Sequence, residues 1–240
     1  MSANTRFLER NKLGLSMKNL SAEEITAMLE LPTDDPLKKW NTLRKRLLHD
    51  APVRELVIAL QQAHSQYGQN MLMHTLGMLG AKSALPVLAS YIDDPNPSRR
   101  GLAVDVIGRI AVINTRRRGK GHHTPYPPDI GERIMQRFEK TEPLEELRPG
   151  LALALGALHF RPATPSLIEA LGSAEVGLRV CAAVALGQLH APEAIPALDS
   201  ARERESDKSA RRQIDYVIAR IMESSTHAKA EGNGTEPSMV

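Results

Sequence analysis

Aromatic residues make up only 3% of this 240-residue chain (three Phe, four Tyr and one Trp), although 42% of it is hydrophobic. A core of that composition must be built from Leu, Ile, Val and Ala, which suits stacked helices and argues against a sheet protein. The single cysteine, Cys181, excludes an internal disulfide framework and points to a reducing compartment, so the expected location is cytoplasmic. No apolar run reaches the roughly 18 residues of a membrane-spanning helix. Charge of one sign is also missing from the body of the chain. The formal net charge is +3, and Arg116, Arg117, Arg118 and Lys120 supply +4, leaving −1 for everything else. A basic groove running the length of the protein is therefore excluded, and any affinity for phosphates must be local.

The motifs of common chemistries are absent too. Gly-Lys-Gly-His at 119–122 lacks the spacing of a phosphate-binding Walker loop. His122 and His123 stand together with no H-E-x-x-H pattern and no cysteine partner, so no metal site is expected. No catalytic residues and no cofactor are expected, and the chain is read as a non-enzyme.

What the sequence does contain is a repeat. TLGMLGAKSALPVL (75–88), ALGALHFRPATPSL (154–167) and ALGQLHAPEAIPAL (185–198) align without a gap. Marker glycines fall at Gly77, Gly108, Gly156 and Gly187, with Ala219 in the fifth slot, giving spacings of 31, 48, 31 and 32. Eight positions before the last four slots stand Arg100, Arg148, Arg179 and Arg211. The long spacing of 48 is one 31-residue period plus 17 further residues. A fixed period of this size marks a stacked array.

Within Leu178–Leu189 the apolar positions Leu178, Cys181, Ala182, Ala185, Leu186 and Leu189 follow the helical rule i, i+3, i+4, i+7. Small residues on that helix allow close approach of a neighbour. Gly187 costs about 1 kcal/mol of helix propensity, so its recurrence points to packing or a bend. Pro86, Pro165 and Pro196 open the helices that follow, where a missing N–H costs least.

Two-helix units of this length carrying (D/E)-x-x-x-R-x-x-A-x-x-A-L-G-x-L-x-x-x-x-A-x-P-x-L resemble HEAT repeats, most closely the short type first associated with phycobilin lyases. The resemblance covers roughly residues 71–222 well and 20–68 loosely. It implies an all-α superhelix, armadillo/HEAT-like, of about six hairpins. It also implies that the arginines Arg100, Arg148, Arg179 and Arg211 form a structural ladder with the preceding acids Asp94, Glu145, Glu175 and Asp207. Lyases of this type work as paired subunits holding a tetrapyrrole and a target protein, which makes an accessory lyase subunit one alternative. Because the repeat serves many roles, it is specific for fold and not for function.

Domain limits follow from composition. Residues 1–19 are basic, without the apolar stretch of a secretory signal, and are read as a flexible extension. Ser21 and Glu24 form a capping box that opens the repeat domain, 20–222. Pro36–His49 is a basic amphipathic helix, with Leu37, Trp40, Leu43, Leu47 and Leu48 on one face, expected to cap the array. The 17 extra residues are placed in an insertion loop at about 112–129, and 223–240, polar and Gly-rich, are read as a disordered tail.

Two candidate surfaces emerge. One is the loop, where Arg116, Arg117, Arg118, Lys120, His122, His123 and Tyr126 combine positive charge with stacking and hydrogen-bonding groups suited to phosphates or nucleic acid. The other is a curved helical face carrying Arg99, Asp105, Arg109, Arg179, Gln188 and Arg212. Arg99 and Arg212, beside the ladder, are expected to reach solvent. The expected function is a protein-binding scaffold whose partner sits on that face with the loop as a clamp. Nucleic-acid binding through the loop is the other alternative.

Overall fold

The computed structural model describes residues 20–30, 35–117, 126, 128–140 and 147–232; the side chains of 36–40, 46, 50, 115–117, 128 and 226–232 are not described. Every regular element among the described residues is helical. In chain order these are α1 (Ala22–Glu30), α2 (Pro36–Asp50), α3 (Val53–Gln62), α4 (Gln66–Leu79), α5 (Leu85–Ser90) and α6 (Pro97–Arg117). They continue with α7 (Pro128–Lys140), α8 (Leu147–Ala157), α9 (Thr164–Ala170), α10 (Val176–Gln188), α11 (Ile195–Arg204) and α12 (Lys208–Gly232). The chain divides into two compact units, Met1–Thr124 with α1–α6 and Pro125–Val240 with α7–α12.

In the first unit α3 pairs with α4 and α5 with α6, α1 packs on α3, and the second helices stack in the order α2, α4, α6. In the second unit the hairpins are α7–α8, α9–α10 and α11–α12, with the second helices stacked as α8, α10, α12. The cores are aliphatic, as the composition requires: Leu56, Leu60, Leu72, Leu76 and Ile107 in the first, and Leu151, Leu155, Leu186, Leu198 and Ile214 in the second, are fully buried. A hairpin with one apolar stripe cannot cover itself, so each unit exists by stacking.

The local signals are realised in detail. The Ser21 N–H donates to Glu24 Oε2 (3.0 Å) and the Glu24 N–H to Ser21 Oγ (3.3 Å), closing the capping box at α1. Short 3-10 turns at Lys82–Ala84, Arg161–Ala163 and Pro192–Ala194 lead into α5, α9 and α11, with proline in the first turn of each helix. Leu43 and Leu47 of α2 are buried; Leu37 and Trp40 lie among the undescribed side chains.

Three second helices end in the same way. At Gly80 (φ 66°), His159 (φ 55°) and His190 (φ 49°) the chain turns left-handed. Their N–H groups donate to the carbonyls of Gly77, Gly156 and Gly187, and the next N–H groups to Leu76, Leu155 and Leu186. This double cap satisfies carbonyls the helix leaves open. Histidine tolerates the left-handed region better than most residues, but Gly80 has a second reason to be glycine. A Cβ there would lie 2.7 Å from Ile113 Cγ2. Gly80→Ala is expected to lower stability by about 1–2 kcal/mol, the cost of left-handed backbone for an L-residue, measured by urea unfolding. An unchanged midpoint would show that the turn relaxes.

Two boundaries differ from the sequence expectation. The insertion was placed from about 112, yet α6 continues through Arg117. Asn114 is the reason: its Nδ2 donates to Gly80 O (2.8 Å) and to Ile110 O (2.7 Å), so the added residues first extend the helix over the α4 cap. The tail was read as disordered from 223, yet α12 runs to Gly232. Low apolar content was taken for disorder, but the alanines, Lys229 and Glu231 have high helix propensity whether or not they are buried. Residues 1–19 and 233–240 lie outside the described residues.

Candidate binding surface

The marker glycines show how the second helices meet. A Cβ on Gly77 would lie 3.2 Å from Val106 Cγ1, on Gly156 2.5 Å from Ala185 Cα, and on Gly187 3.1 Å from Val217 Cγ1. Val106, Ala185 and Val217 each stand two residues before the marker of their own helix. Gly77, Gly156 and Gly187 are thus each crossed by the equivalent point of the next second helix in their unit, and at these three the recurrence is a packing requirement.

That common register aligns side chains across each unit. Three residues before the marker stand His74 and Asp105 in the first unit and Leu153, Val184 and Tyr216 in the second. Leu153 is 37% exposed, Tyr216 61%, and Val184 is half-buried. One residue after the marker stand Met78 and Arg109 in the first unit, Gln188 and Arg220 in the second. Met78 is also exposed. The row three before the marker changes character between the units: polar and charged on α4 and α6, apolar across α8, α10 and α12.

The ladder arginines act differently from the expected pairing. Arg100 donates through Nη1 to the carbonyls of Asp94 (2.8 Å) and Pro95 (3.2 Å), and Arg179 through Nη1 to those of Ser173 (2.9 Å) and Ala174 (3.0 Å). Arg211 Nε donates to Glu205 O at 3.0 Å, and its Nη2 makes a second bond there. Each pins the turn that precedes its own helix. The carboxylates were assigned to them by position; Asp94 instead pairs with Arg99, and Asp207 caps α12 by accepting from the N–H groups of Ser209 and Ala210. The guanidinium of Arg148 lies 4.9 Å from the Phe138 ring centroid, a cation–π contact, while its expected partner Glu145 falls outside the described residues.

Arg179 also reaches the next repeat. Its Nε and Nη2 grip the Glu205 carboxylate at 2.7 and 2.9 Å, and only 1% of that acid's side chain is exposed. The bidentate hydrogen bonds from Arg179, with the Asp207 N–H, hold the Glu205 carboxyl down at about 2.

Of the residues chosen for the curved face, Arg99, Asp105 and Arg109 belong to the first unit and Arg179, Gln188 and Arg212 to the second. Arg99 was expected to reach solvent, but it is tied to Asp94 Oδ1 (3.0 Å) and Gln69 Oε1 (2.8 Å) because the α5–α6 turn lies beside α4. Arg179 is committed to Glu205. Asp105 and Arg109 pair with each other at 2.8 Å, and Arg212 is exposed. Gln188 places Oε1 in a buried position with no hydrogen-bond partner. Of the loop candidates, Arg116 and Arg117 end α6 with undescribed side chains, Tyr126 is half-buried, and Arg118, Lys120, His122 and His123 lie outside the described residues. Cys181 is half-buried, and burial, then Glu175, pushes its thiol up, away from a reactive thiolate. Among the described residues no three potential ligands gather as a metal site, and no helix is long and apolar enough to cross a membrane.

Residues 178–202, the second helix of one hairpin and the first of the next, match the family profile described as the PBS lyase HEAT-like repeat. Over that stretch the chain is similar to HEAT-like repeats of the PBS lyase type. No curated protein matches the sequence. An engineered protein from the Northeast Structural Genomics Consortium shares the fold at 15% identity and a TM-score of 0.51, over 84% of this chain and 96% of that one. The complex of CpcE and CpcF of phycocyanin lyase from Nostoc sp. PCC7120 aligns at 19% identity and a TM-score of 0.39, over 85% of this chain and 95% of that one.

In HEAT-like register, sequence reasoning picked polar residues and passed over Leu153, Val184 and Tyr216. The signal that finds them is already in the spacing: counting three back from the last three markers lands on Leu153, Val184 and Tyr216, an apolar side chain each time.

Proposed function

We propose that this protein is a scaffold that binds another protein on the exposed row of its HEAT-like second helices. The observation that carries this is the apolar row of Leu153, Val184 and Tyr216, which occupies one register on three stacked helices and stays accessible. Single exposed apolar residues are ordinary, whereas a contiguous row on a rigid stack marks an interaction surface. Tyr216 has the amphipathic ring that dominates many interfaces.

The test is affinity capture from native extract with the intact chain beside the double variant Leu153→Asp/Tyr216→Ala. Both positions are exposed, so the variant is expected to fold as wild type and to lose the proteins wild type retains. If it captures the same set equally well, this row is not the binding surface. A nuclease-treated arm separates protein partners from material carried through the basic segment 116–123: capture that disappears with nuclease would replace the scaffold reading by nucleic-acid binding.

A second reading is favoured by the matched repeat itself: an accessory subunit of a phycobilin lyase. Its test is incubation of the purified chain with a bilin. A saturable visible absorbance change would support it, and an unchanged bilin spectrum would count against it.

A further inference from the structure

The apolar row of the second unit ends on a helix unlike the two before it. The slots seven before, three before and one after the marker lie four residues apart, so on each second helix they form one ridge. On α8 and α10 those slots hold no charged residue. On α12 they hold Arg212, Tyr216 and Arg220, all exposed. The crossings of Gly156 by Ala185 and of Gly187 by Val217 keep the three ridges in step. The surface is therefore apolar at Leu153 and Val184, and on α12 an aromatic ring stands four residues from each of two guanidinium groups.

Neither arginine is spent within the molecule. The side chains of Arg212 and Arg220 make no hydrogen bond or ion pair among the described residues, in contrast to Arg179 and Arg211. Asp215, beside them on α12, is directed to α11, its Oδ1 3.8 Å from Arg202 Nη1. Glu223, three residues on from Arg220, makes no ion pair with it. An arginine in water needs no partner, so exposure alone gives these two no role. Their place does, because they flank the aromatic member of a row that a partner must cover. A protein seated on Leu153, Val184 and Tyr216 takes the neighbouring guanidinium groups out of water, and must supply acceptors or leave charge uncompensated. Arginine beside tyrosine is also a combination that interfaces favour.

We propose that the segment bound on this face is an acidic amphipathic helix of the partner protein. This rests on the scaffold reading and deepens it by naming the partner's chemistry. Packed helices stand about 8–10 Å apart, so Leu153, Val184 and Tyr216 are spaced by about that step. A helix laid across them rises about 1.5 Å per residue and returns a residue to the same side every two turns, about 10.5 Å on. Apolar residues at i, i+7 and i+14 therefore meet all three positions. An extended strand covers the step in about three residues, which turns alternate side chains away from the face. Acids on both sides of the third apolar residue accept from Arg212 and Arg220.

The experiment titrates the full chain into fluorescein-labelled, amidated, alanine-based peptides of about 18 residues, a length that holds helix and spans the face. The first carries Leu at i, i+7 and i+14 with Glu on both sides of the last Leu. The second has Lys for Glu, and the third has Ala for Leu. Fluorescence anisotropy is expected to show saturable binding of the first and at least about tenfold weaker binding of the other two. Arg212→Glu/Arg220→Glu, and the milder Arg212→Gln/Arg220→Gln, are expected to weaken the first peptide at least about tenfold, with unchanged urea midpoints. Arg54→Glu/Arg204→Glu makes the same change in net charge at two exposed arginines of α3 and α11, and is expected to stay within about twofold of wild type. No saturable binding of the first peptide overturns the proposal, as does an equal loss in Arg54→Glu/Arg204→Glu. Equal affinity for the alanine peptide overturns it by showing a patch for any anion, and tighter binding of a single-stranded oligothymidylate gives the face to nucleic acid. The two readings fail separately: a peptide that does not bind, beside capture that is lost in Leu153→Asp/Tyr216→Ala, removes only the acidic helix.

Discussion

Glu205→Ala is expected to cost the second unit about 3–5 kcal/mol, the usual penalty for removing one member of a buried ion pair. The carboxylate serves two repeats at once. Arg179 of α10 grips it with two nitrogens, the Asp207 N–H donates to its Oε1 at 2.9 Å, and the residue's own carbonyl accepts from Arg211. Without the acid, Arg179 keeps only the Ser173 and Ala174 carbonyls for a charge that is 17% exposed. The stranded charge is what makes the loss large, so Arg179→Met combined with Glu205→Leu is expected to be milder than Glu205→Ala alone. Native-state hydrogen exchange of the α10 amides reads the effect within this unit. A loss below about 1 kcal/mol, the value of an exposed pair, would mean that water reaches the site.

The same pair gives a pH dependence of known sign. The folded-state carboxyl titrates at about 2, below its ordinary value of 4.5. The folded form therefore releases this proton more readily than the unfolded form does. Its contribution is complete above about pH 4.5 and disappears as pH falls toward 2. In Glu205→Ala, acid unfolding of α10 is expected to lose that part of its pH slope.

Gly156→Ala is expected to cost about 1–3 kcal/mol, as overpacked cores do, even though alanine is the better helix former by about 1 kcal/mol. The new methyl would stand 2.5 Å from Ala185 Cα and 2.8 Å from Ala185 Cβ, so a backbone, not a movable side chain, is in the way. α8 and α10 would have to separate along the whole contact. Gly187→Ala is the internal control. Its nearest neighbour is Val217 Cγ1 at 3.1 Å, which shifts by a small rotation, and the gain in propensity offsets the strain. That variant is expected to stay within about 1 kcal/mol of wild type. Urea unfolding of both decides the matter: equal effects would show that close approach is not what requires glycine at this slot.

The architecture was legible because it is periodic. Glycine, proline and alanine recur in a unit of about 31 residues, interrupted once by 17 more, and the recurrences reflect repeated contacts: a crossing helix at Gly77, Gly156 and Gly187, and a first helical turn at Pro86, Pro165 and Pro196. The capping box at Ser21 was legible for the same reason, since its partners are three residues apart. The ladder was harder. Periodicity showed that Arg179 has a fixed place, but its carboxylate is Glu205, 26 residues away in sequence and one repeat on, and the nearer Glu175 was the natural guess. Asn114 was missed because it looks like loop, and its value lies in a carbonyl 34 residues earlier. The exposed rows were half legible: charge drew attention to Asp105, Arg109 and Arg212, while Leu153 and Tyr216, apolar and uncharged, were passed over although both are exposed.

Ala219 stands where the other second helices place glycine, and it is exposed, with Arg211, Arg212, Asp215 and Arg220 exposed around it. A protein assembled from interchangeable units faces a hazard of its own making, since any outer helix that copies an inner one invites another molecule to continue the array. Here the methyl is the lesser obstacle, since the same change at Gly187 is expected to be tolerated, and the charges matter more: a further helix arriving on this face would strip water from Arg211, Arg212, Asp215 and Arg220. An engineer wishing to graft on a further repeat would have to begin by neutralising that face of α12.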